Sequence, residues 1–376
     1  RLDWNEVIPA HRLNYIMGNP PFNGARTMSA EQKSDLLHVF GDLKNVGNLD
    51  FVTPWYKKSA DMMDFNPDIQ TALVSTNSIV QGDQAGILGE YLFGRGFEIN
   101  FAYRTFRWSN AAKGKAAVHC VIIGFSKNGH SQQPKKIYDK DEENVVSQIN
   151  QYLIDAPPVI VKNRSKPICD VPEIGIGNKP IDGGHYLFSK EEMEDFIRKE
   201  PASTQYFRPW YGAQEFIYRQ PRYCLYVGDV SPEILRKMPH VIERVNKVRE
   251  YRLNSKSKGT RDIANVPTRF HVTNIPKTQY LAIPEVSSEN RLYIPIGFLS
   301  PEILASNKLK IIQNATLFLF GVLTSSTHMS WMRTTTGRMK SDYSYSVGIV
   351  YNNFPWPTPT PEQKEKIEQT ARAILA

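Results

Sequence analysis

Residues 13–24 read LNYIMGNPPFNG: a short apolar run, a glycine, then Asn19, Pro20, Pro21 and Phe22. These four residue types suit a flat ring that carries an amino group. Proline fixes φ and lacks an N–H, so Pro20-Pro21 makes a stiff loop with free carbonyls. A free carbonyl and the Asn19 side-chain oxygen both accept hydrogen bonds, and an exocyclic NH₂ has two hydrogens to donate. Phe22 offers a π-face for stacking. With its hydrogens held, the nitrogen keeps its lone pair aimed at an electrophile. The pattern describes a pocket for the amino group of a nucleobase, with Asn19, Pro20, Pro21 and Phe22 as the catalytic set. A proline turn that merely follows a strand is the competing reading of the same letters.

Such a loop works at the C-terminal end of a parallel strand, where ligands bind in open α/β sheets. The flanking sequence supplies the elements. LNYIM (13–17) is a short apolar strand, and 28–43 and 49–63 carry apolar residues near helical spacing. TALVST (71–76) is a buried-strand candidate, and 83–96 is a helix with glycine near its end. INFAYRTF (99–106) and AAVHCVIIGFS (116–126) are two more strands, joined by the polar loop RWSNAAKGK and able to pair as an antiparallel hairpin. Strand, helix, strand, helix and closing hairpin predict an α/β fold, part of a doubly wound sheet with an antiparallel edge. Residues 131–154 are polar and mixed in charge, as expected of a linker or surface excursion. Beyond them strands become short and irregular (YCLYV, YLAIPEV, LYIPIGF), with helices expected over 231–253 and 306–325. A proline-rich exit, YNNFPWPTPTPEQ, leads to a last helix at 362–376. This second part reads as α+β.

The 376 residues, 41% hydrophobic and 11% aromatic, are enough for two or three cores and exclude a disordered chain. No apolar run approaches the roughly 18 residues that span a bilayer, and the polar start is unlike a signal peptide. The three cysteines are widely spaced and form no zinc pattern, which suits reduced thiols in the cytoplasm. The net charge of +8 is unevenly placed: residues 1–150 hold equal numbers of basic and acidic side chains, so the whole excess lies in 151–376. A neutral first part and a basic second part suggest that the second meets a polyanion, although a merely basic surface has the same composition.

GNPPF resembles the [DNS]-PP-[FYW] motif of S-adenosylmethionine-dependent DNA methyltransferases that act on amino groups, and Asn with Phe is the form typical of adenine-N6 enzymes. DFVTPWYKKSADMM, ALVSTNSIVQGDQ, FAYRTFRWSNAAKGKAAVHCVIIGF and WMRTTTGRMKSDYSYS…YNNFPWP extend the likeness to the single-chain type IIL restriction–modification enzymes. Those proteins fuse a nuclease, an adenine methyltransferase and a target recognition domain. The resemblance covers nearly the whole chain. It implies the target-base half of a methyltransferase domain at 1–130, a recognition domain at 155–357 and a C-terminal helix at 358–376. It also implies S-adenosylmethionine as cofactor and double-stranded DNA as partner; the residue pattern gives no metal site, and a monomer is the favoured reading of an oligomeric state the sequence leaves open. The family binds its methyl donor through a Gly-rich loop upstream of NPPF, and only 18 residues precede Asn19. LFGRGF (92–97) has similar letters but follows a helix-like run, so its glycines read as a helix stop. EIGIGNKPIDGG (173–184) resembles the family's first recognition segment. The chain is therefore expected to be a C-terminal fragment that lacks most of the donor site and is inactive alone. The family's nuclease motif is absent from it.

An adenine must leave the duplex to reach such a pocket. By the resemblance a second aromatic from the hairpin completes the stack, Phe106 first and Trp108 second; packing within the hairpin is the alternative. Ser75, Thr76, Asn77 and Ser78 follow a strand on the site's edge, with Asn77 read as a cap for the next helix. His119 reads as a core histidine. In the basic part, Arg244, Lys247, Lys256 and Lys258, among the neighbouring Arg249, Arg252 and Arg261, are candidates for phosphate contacts. Lys256–Gly259 reads as a mobile loop. Glu289 and Arg291 share a face if SSENRLYIP is extended, and could together read one C·G pair. Arg333, Arg338, Lys340, Asp342, Tyr343 and Tyr345 form a second cluster, in which cations and aromatics suit DNA-backbone contact. Two other functions fit the same features: a DNA-specificity module without catalysis, and an amino-methyltransferase acting on RNA or on protein glutamine.

Overall fold

Ser29 caps the first long helix, α1 (Ala30–Phe40), through a reciprocal capping box with Gln32, and Gly41 at φ 60° ends it. Pro54 opens α2 (Thr53–Phe65), whose Tyr56, Ala60 and Met63 fall at helical spacing and are fully buried. A third helix, α3 (Gly82–Gly94), is followed by Gly96 at φ 74°. The protein is described by a computed structural model over residues 2–108, 118–131 and 133–376. Its contacts divide into two compact units, 1–165 with 332–341 and 348–353, and 166–331 with 342–347 and 354–376.

The first unit is built on a six-stranded sheet of β1 (Tyr15–Gly18), β2 (Gln70–Thr76), β3 (Phe97–Trp108), β4 (Val118–Lys127), β5 (Lys135–Asp139) and β6 (Glu142–Val146). Their spatial order is β1-β2-β4-β3-β5-β6. β1 runs parallel to β2, and β4 lies antiparallel between β2 and β3. The expected hairpin is therefore present, and its return strand is inserted into the sheet; residues 109–117, between its two strands, lie outside the described residues. Tyr56 of α2 stacks on Phe125 of β4 at 5.4 Å, within a core shared with Leu88 and Leu92 of α3.

The segment expected as a linker, 131–154, contains two strands instead. β5 pairs parallel with β3, and β6 closes the edge antiparallel to β5. Its polarity is that of an edge hairpin, with Lys136 paired to Glu143 across the ladder at 2.7 Å and only Ile137 buried. Ile149 and Leu153 enter the core. Val161 then passes so close to α3 that a Cβ at Gly86 would collide with its carbonyl oxygen.

The second unit holds two four-stranded sheets. One orders Leu304–Ala305, Phe207–Tyr211, Arg222–Leu225 and Leu187–Phe188; the other orders Gly297–Leu299, Tyr280–Pro284, Leu309–Gln313 and Ile174–Ile176. The expected helix over 231–253 is two, Pro232–Leu235 and α4 (Pro239–Leu253), because Pro239 cannot continue a helix and instead starts one. The run expected as one helix over 306–325 is a strand, then Leu317–Leu323 as a helix; Asn314 at φ 55° turns the chain between them and Thr316 caps the helix. A C-terminal helix spans Pro361–Leu375. Among the described residues no helix is long and apolar enough to cross a membrane.

Candidate functional site

β1 ends at Gly18, in register with Leu73 of its parallel neighbour, and the chain leaves the strand as Asn19-Pro20-Pro21-Phe22. Pro20 is buried, Phe22 is half-buried, and Asn19 and Pro21 are exposed. No described residue engages the Asn19 side chain. The exit of the loop is tied down instead: Phe51 N–H donates to the Asn23 carbonyl at 2.9 Å, and Asn23 Nδ2 donates to Gln32 of α1 at 2.9 Å. Ala25 N–H donates to the carboxylate of Asp50 at 3.0 Å.

Asp50 was legible in the sequence only as the first residue of the motif DFVTPWYKKSADMM, with no role attached to it. It is 4% exposed, and its other oxygen accepts from the Thr76 hydroxyl at 2.9 Å. Thr76 is the last residue of β2, so one carboxylate links the loop to the strand end beside it. Ladder register extends the row: Thr76 faces Cys120 on β4, and Cys120 faces Phe106 on β3. At roughly 4.8 Å per strand the loop, Thr76, Cys120 and Phe106 lie along one edge of the sheet. Phe106 is half-buried, and its ring lies 6.1 Å from that of Trp108, which is 39% exposed. Beneath this edge the buried Tyr56 and Ser75 hydroxyls lie 2.7 Å apart, and burial pushes the Tyr56 phenol far above its usual range.

Two smaller expectations change. Asn77 is the first residue of a 3₁₀ turn, Asn77–Val80, whose capping position is Thr76, so it is not the cap. His119 is half-buried opposite Arg107, not a core residue.

In the second unit the basic segment separates into surface and core. Val241, Val245, Val248 and Arg252 recur at 4, 3 and 4 residues along α4, and all four are buried. Arg252 is fully buried and donates to five backbone carbonyls, Pro180, Ile181, Ile263, Val266 and Arg269, at 2.8–3.1 Å. It belongs to the core and cannot meet phosphate. The helical spacing was the signal that would have found it. Arg244 is half-buried with its guanidinium 4.7 Å over the Phe188 ring. Lys247 is exposed and paired with Glu243 at 2.7 Å. Lys256 is exposed, and the stretch expected as a loop runs into a short helix, Lys258–Asp262, in which Lys258 pairs with Asp262 at 3.1 Å and Arg261 donates to the Ser255 and Lys256 carbonyls.

SSENRLYIP is not extended. Only Val286–Ser287 is strand, and Arg291 N–H donates to the Ser288 carbonyl at 3.1 Å, so Glu289 and Arg291 sit on a turn and the shared strand face is lost. The turn lies against part of the second cluster: Val286–Ser287 pairs with Tyr343–Ser344, and the Glu289 N–H donates to Asp342 at 3.3 Å. Tyr343 and Tyr345 are 7% and 3% exposed, so neither ring offers a face to DNA. The Tyr345 hydroxyl lies 3.0 Å from Nε2 of the buried His328. The other three members of the cluster belong to the first unit's segment 332–341. Arg333 is half-buried on helix Ser326–Thr335, Arg338 donates to the Ser341 carbonyl at 2.9 Å, and Lys340 is exposed. Among the described residues no group of His, Cys, Asp and Glu side chains could hold a metal ion.

Residues 1–139 match the family described as "MmeI, DNA-methyltransferase domain", and residues 155–358 match "MmeI, target recognition domain". A curated relative from Bacillus subtilis (strain 168), described as "DNA methyltransferase A", is 39% identical over 377 residues, covering 100% of this chain and 43% of the relative. The solved structure of the type IIL restriction–modification enzyme MmeI in complex with DNA superposes with a TM-score of 0.92 at 45% identity, over 100% of this chain and 51% of that one. The chain thus spans about half the length of these relatives or less. From the two domain matches and the full-length likeness, the chain belongs to the MmeI family of type IIL restriction–modification enzymes.

Proposed function

We propose that this chain supplies the target-base half of a sequence-specific DNA adenine-N6 methyltransferase together with its DNA-reading domain. One observation carries the reading: GNPPF leaves the C-terminal end of a parallel strand with Asn19 exposed and unengaged, above a braced loop. A flipped adenine enters this edge of the sheet. Its N6 hydrogens are accepted by Asn19 Oδ1 and the Pro20 carbonyl, which keeps the nitrogen lone pair free for attack. Phe22 stacks on the base, with Phe106, or Trp108 beside it, as the opposing ring. The amine sheds its proton after attack, and solvent takes it, so no side-chain base is assigned.

S-adenosylmethionine is the methyl donor of this reading; it supplies an electrophilic methyl group. The described residues do not fit it. Gly96 at φ 74° follows the end of α3 and serves as a helix stop, and a Cβ at Gly177 of the EIGIG stretch would collide with the Ser306 and Ala305 carbonyls, so both glycines are accounted for by the fold itself. We place the donor loop in a further part of the enzyme, on strands that extend the sheet beyond β1 into a doubly wound fold. The outer strand β1, with Tyr15 and Met17 65% and 77% exposed, is the edge open to them. The three free thiols of the chain suit a cytoplasmic enzyme.

Lys247, Lys256 and Lys258 of the second unit, and Arg333, Arg338 and Lys340 of the segment 332–341, are assigned to phosphates; Glu289 and Arg291, on a turn and without a shared face, are assigned to base edges as separate contacts. The experiment is to incubate the full-length enzyme and this chain separately with duplex DNA and methyl-labelled donor, then digest the DNA to nucleosides. N6-methyladenine from the full-length enzyme and none from the chain is expected. DNA binding by both without any methylated base would favour a specificity module; label in RNA or protein would favour the amino-methyltransferase alternatives.

A further inference from the structure

Asp50 is buried, and among the described residues no lysine or arginine pairs with it. A buried carboxylate without a cation is costly unless its lone pairs are all satisfied. Here three of the roughly four acceptor sites are met by neutral donors from three parts of the chain. Oδ1 accepts from Ala25 N–H at 3.0 Å and from Gln84 Nε2 at 3.0 Å, and Oδ2 accepts from the Thr76 hydroxyl at 2.9 Å. Gln84 answers by accepting the backbone N–H of Asp50 at 2.9 Å. Ala25 stands three residues beyond Phe22, Thr76 ends β2, and Gln84 lies in the first turn of α3. The next residue, Phe51, holds the Asn23 carbonyl. Two of the bonds that tie the loop exit to the rest of the unit therefore run through Asp50 and its neighbour.

We infer that Asp50 is a positioning residue: it sets the height of the GNPPF loop over the sheet edge, so that Asn19, Pro20 and Phe22 face the target base. The inference rests on the proposed role of GNPPF. Asp50 touches neither base nor donor. It acts through Ala25, just beyond the loop, and Thr76, at the end of the neighbouring strand. Losing the bond to Ala25 removes one tie at the loop's downstream end, leaves those from Asn23 to Phe51 and Gln32, and lets the exit shift while Pro20 still packs at the other end. A displacement of about 1 Å at reacting groups costs on the order of 100-fold in rate. Charge is not required for this task, only three correctly placed partners. An asparagine at this position, with its oxygen toward Ala25 and Gln84 and its NH₂ toward the Thr76 oxygen, keeps the three contacts, with the Thr76 hydroxyl accepting where it donated.

The test uses full-length enzyme in four forms: wild type, Asp50→Ala, Asp50→Asn and Asn19→Ala. Methylation gives kcat and KM for a duplex carrying the target site, and equilibrium binding gives Kd. Asp50→Ala is expected to lower kcat by about 100-fold with KM and Kd within about threefold of wild type. Asp50→Asn is expected to stay within about fivefold of wild type in kcat. Should Asp50→Ala fail to fold, Thr76→Val removes one of the three bonds and is expected to lower kcat about threefold to tenfold at unchanged Kd. Wild-type kcat in Asp50→Ala, or equal losses in Asp50→Ala and Asp50→Asn, would overturn the positioning role. Asn19→Ala separates the two levels. If it methylates like wild type, the catalytic reading of GNPPF fails and the inference with it. If it is inactive while Asp50→Ala is fully active, only the inference fails.

Discussion

Replacing Arg252 by lysine keeps the charge and most of the side-chain length but removes the planar fork. The five carbonyls around the guanidinium are spread over three chain segments, Pro180–Ile181, Ile263–Val266 and Arg269. An ammonium has three donors, so at least two of these carbonyls lose their partner. Each orphaned buried acceptor costs about 1–3 kcal/mol. Several of them are only partly buried, which lets water recover a share. Arg252→Lys should therefore lower the unfolding free energy of the second unit by about 2–4 kcal/mol. Arg252→Met, which orphans all five, should cost more, about 4 kcal/mol or above, a large part of a typical domain's stability. Urea unfolding followed by tryptophan fluorescence reports it, since Trp210 is 3% exposed in the same core. The salt dependence of DNA binding is the companion measurement, because a residue that holds phosphate contributes about one unit to the log–log slope. Arg252→Lys with wild-type stability and a slope reduced by about one unit would refute the burial argument and return Arg252 to the DNA surface.

Other perturbations have equally direct readouts. His328 is fully buried, and burial pushes its pKa down from 6.5 to about 4. The unfolded chain takes up a proton below about pH 6.5 and the folded one does not until about pH 4, so stability falls as pH drops through that window. Between pH 7 and pH 5 the loss from this group is about 2 kcal/mol, and the difference between wild-type and His328→Phe unfolding curves should show it; parallel curves would contradict it. Gly86→Ala should destabilise the first unit by about 1–3 kcal/mol in urea, because the new Cβ meets the Val161 carbonyl; an unchanged midpoint would mean that residues around 161 do not pack there.

What the sequence discloses follows from how local each signal is. The strand–helix order of the first unit is carried by short-range pattern: apolar runs, capping Ser29, Pro54 at a helix start, glycines at helix ends. The family likeness is carried by the long motifs, the hairpin segment among them, which lend weight to the short GNPPF. Features set by tertiary contact are hidden. The edge strands at 135–146 are polar because one side faces water, and polarity alone reads as a linker. The strand Leu309–Gln313 leads into the apolar helix Leu317–Leu323 with no marked change of composition, and only the turn at Asn314 divides them. Arg252 reads as one more cation in a basic stretch until its spacing from Val241, Val245 and Val248 is noticed. Asp50 heads one of the family motifs, but its role has no local signature, because its three partners come from residues 25, 76 and 84. Glu289 and Arg291 depended on an extended backbone, and the turn at Ser288 replaces it.

The exposed amide of Asn19 is the group on which the proposed chemistry turns, because it holds the target amine. Its most direct test is Asn19→Ala in the full-length enzyme, with methylation rate and duplex affinity measured on the same preparation. A fall in kcat of at least about 100-fold with Kd within about twofold is expected, since the acceptor acts on the reacting nitrogen and not on the rest of the duplex. Methylation within a few-fold of wild type, or an equal loss of rate and affinity, would contradict that role.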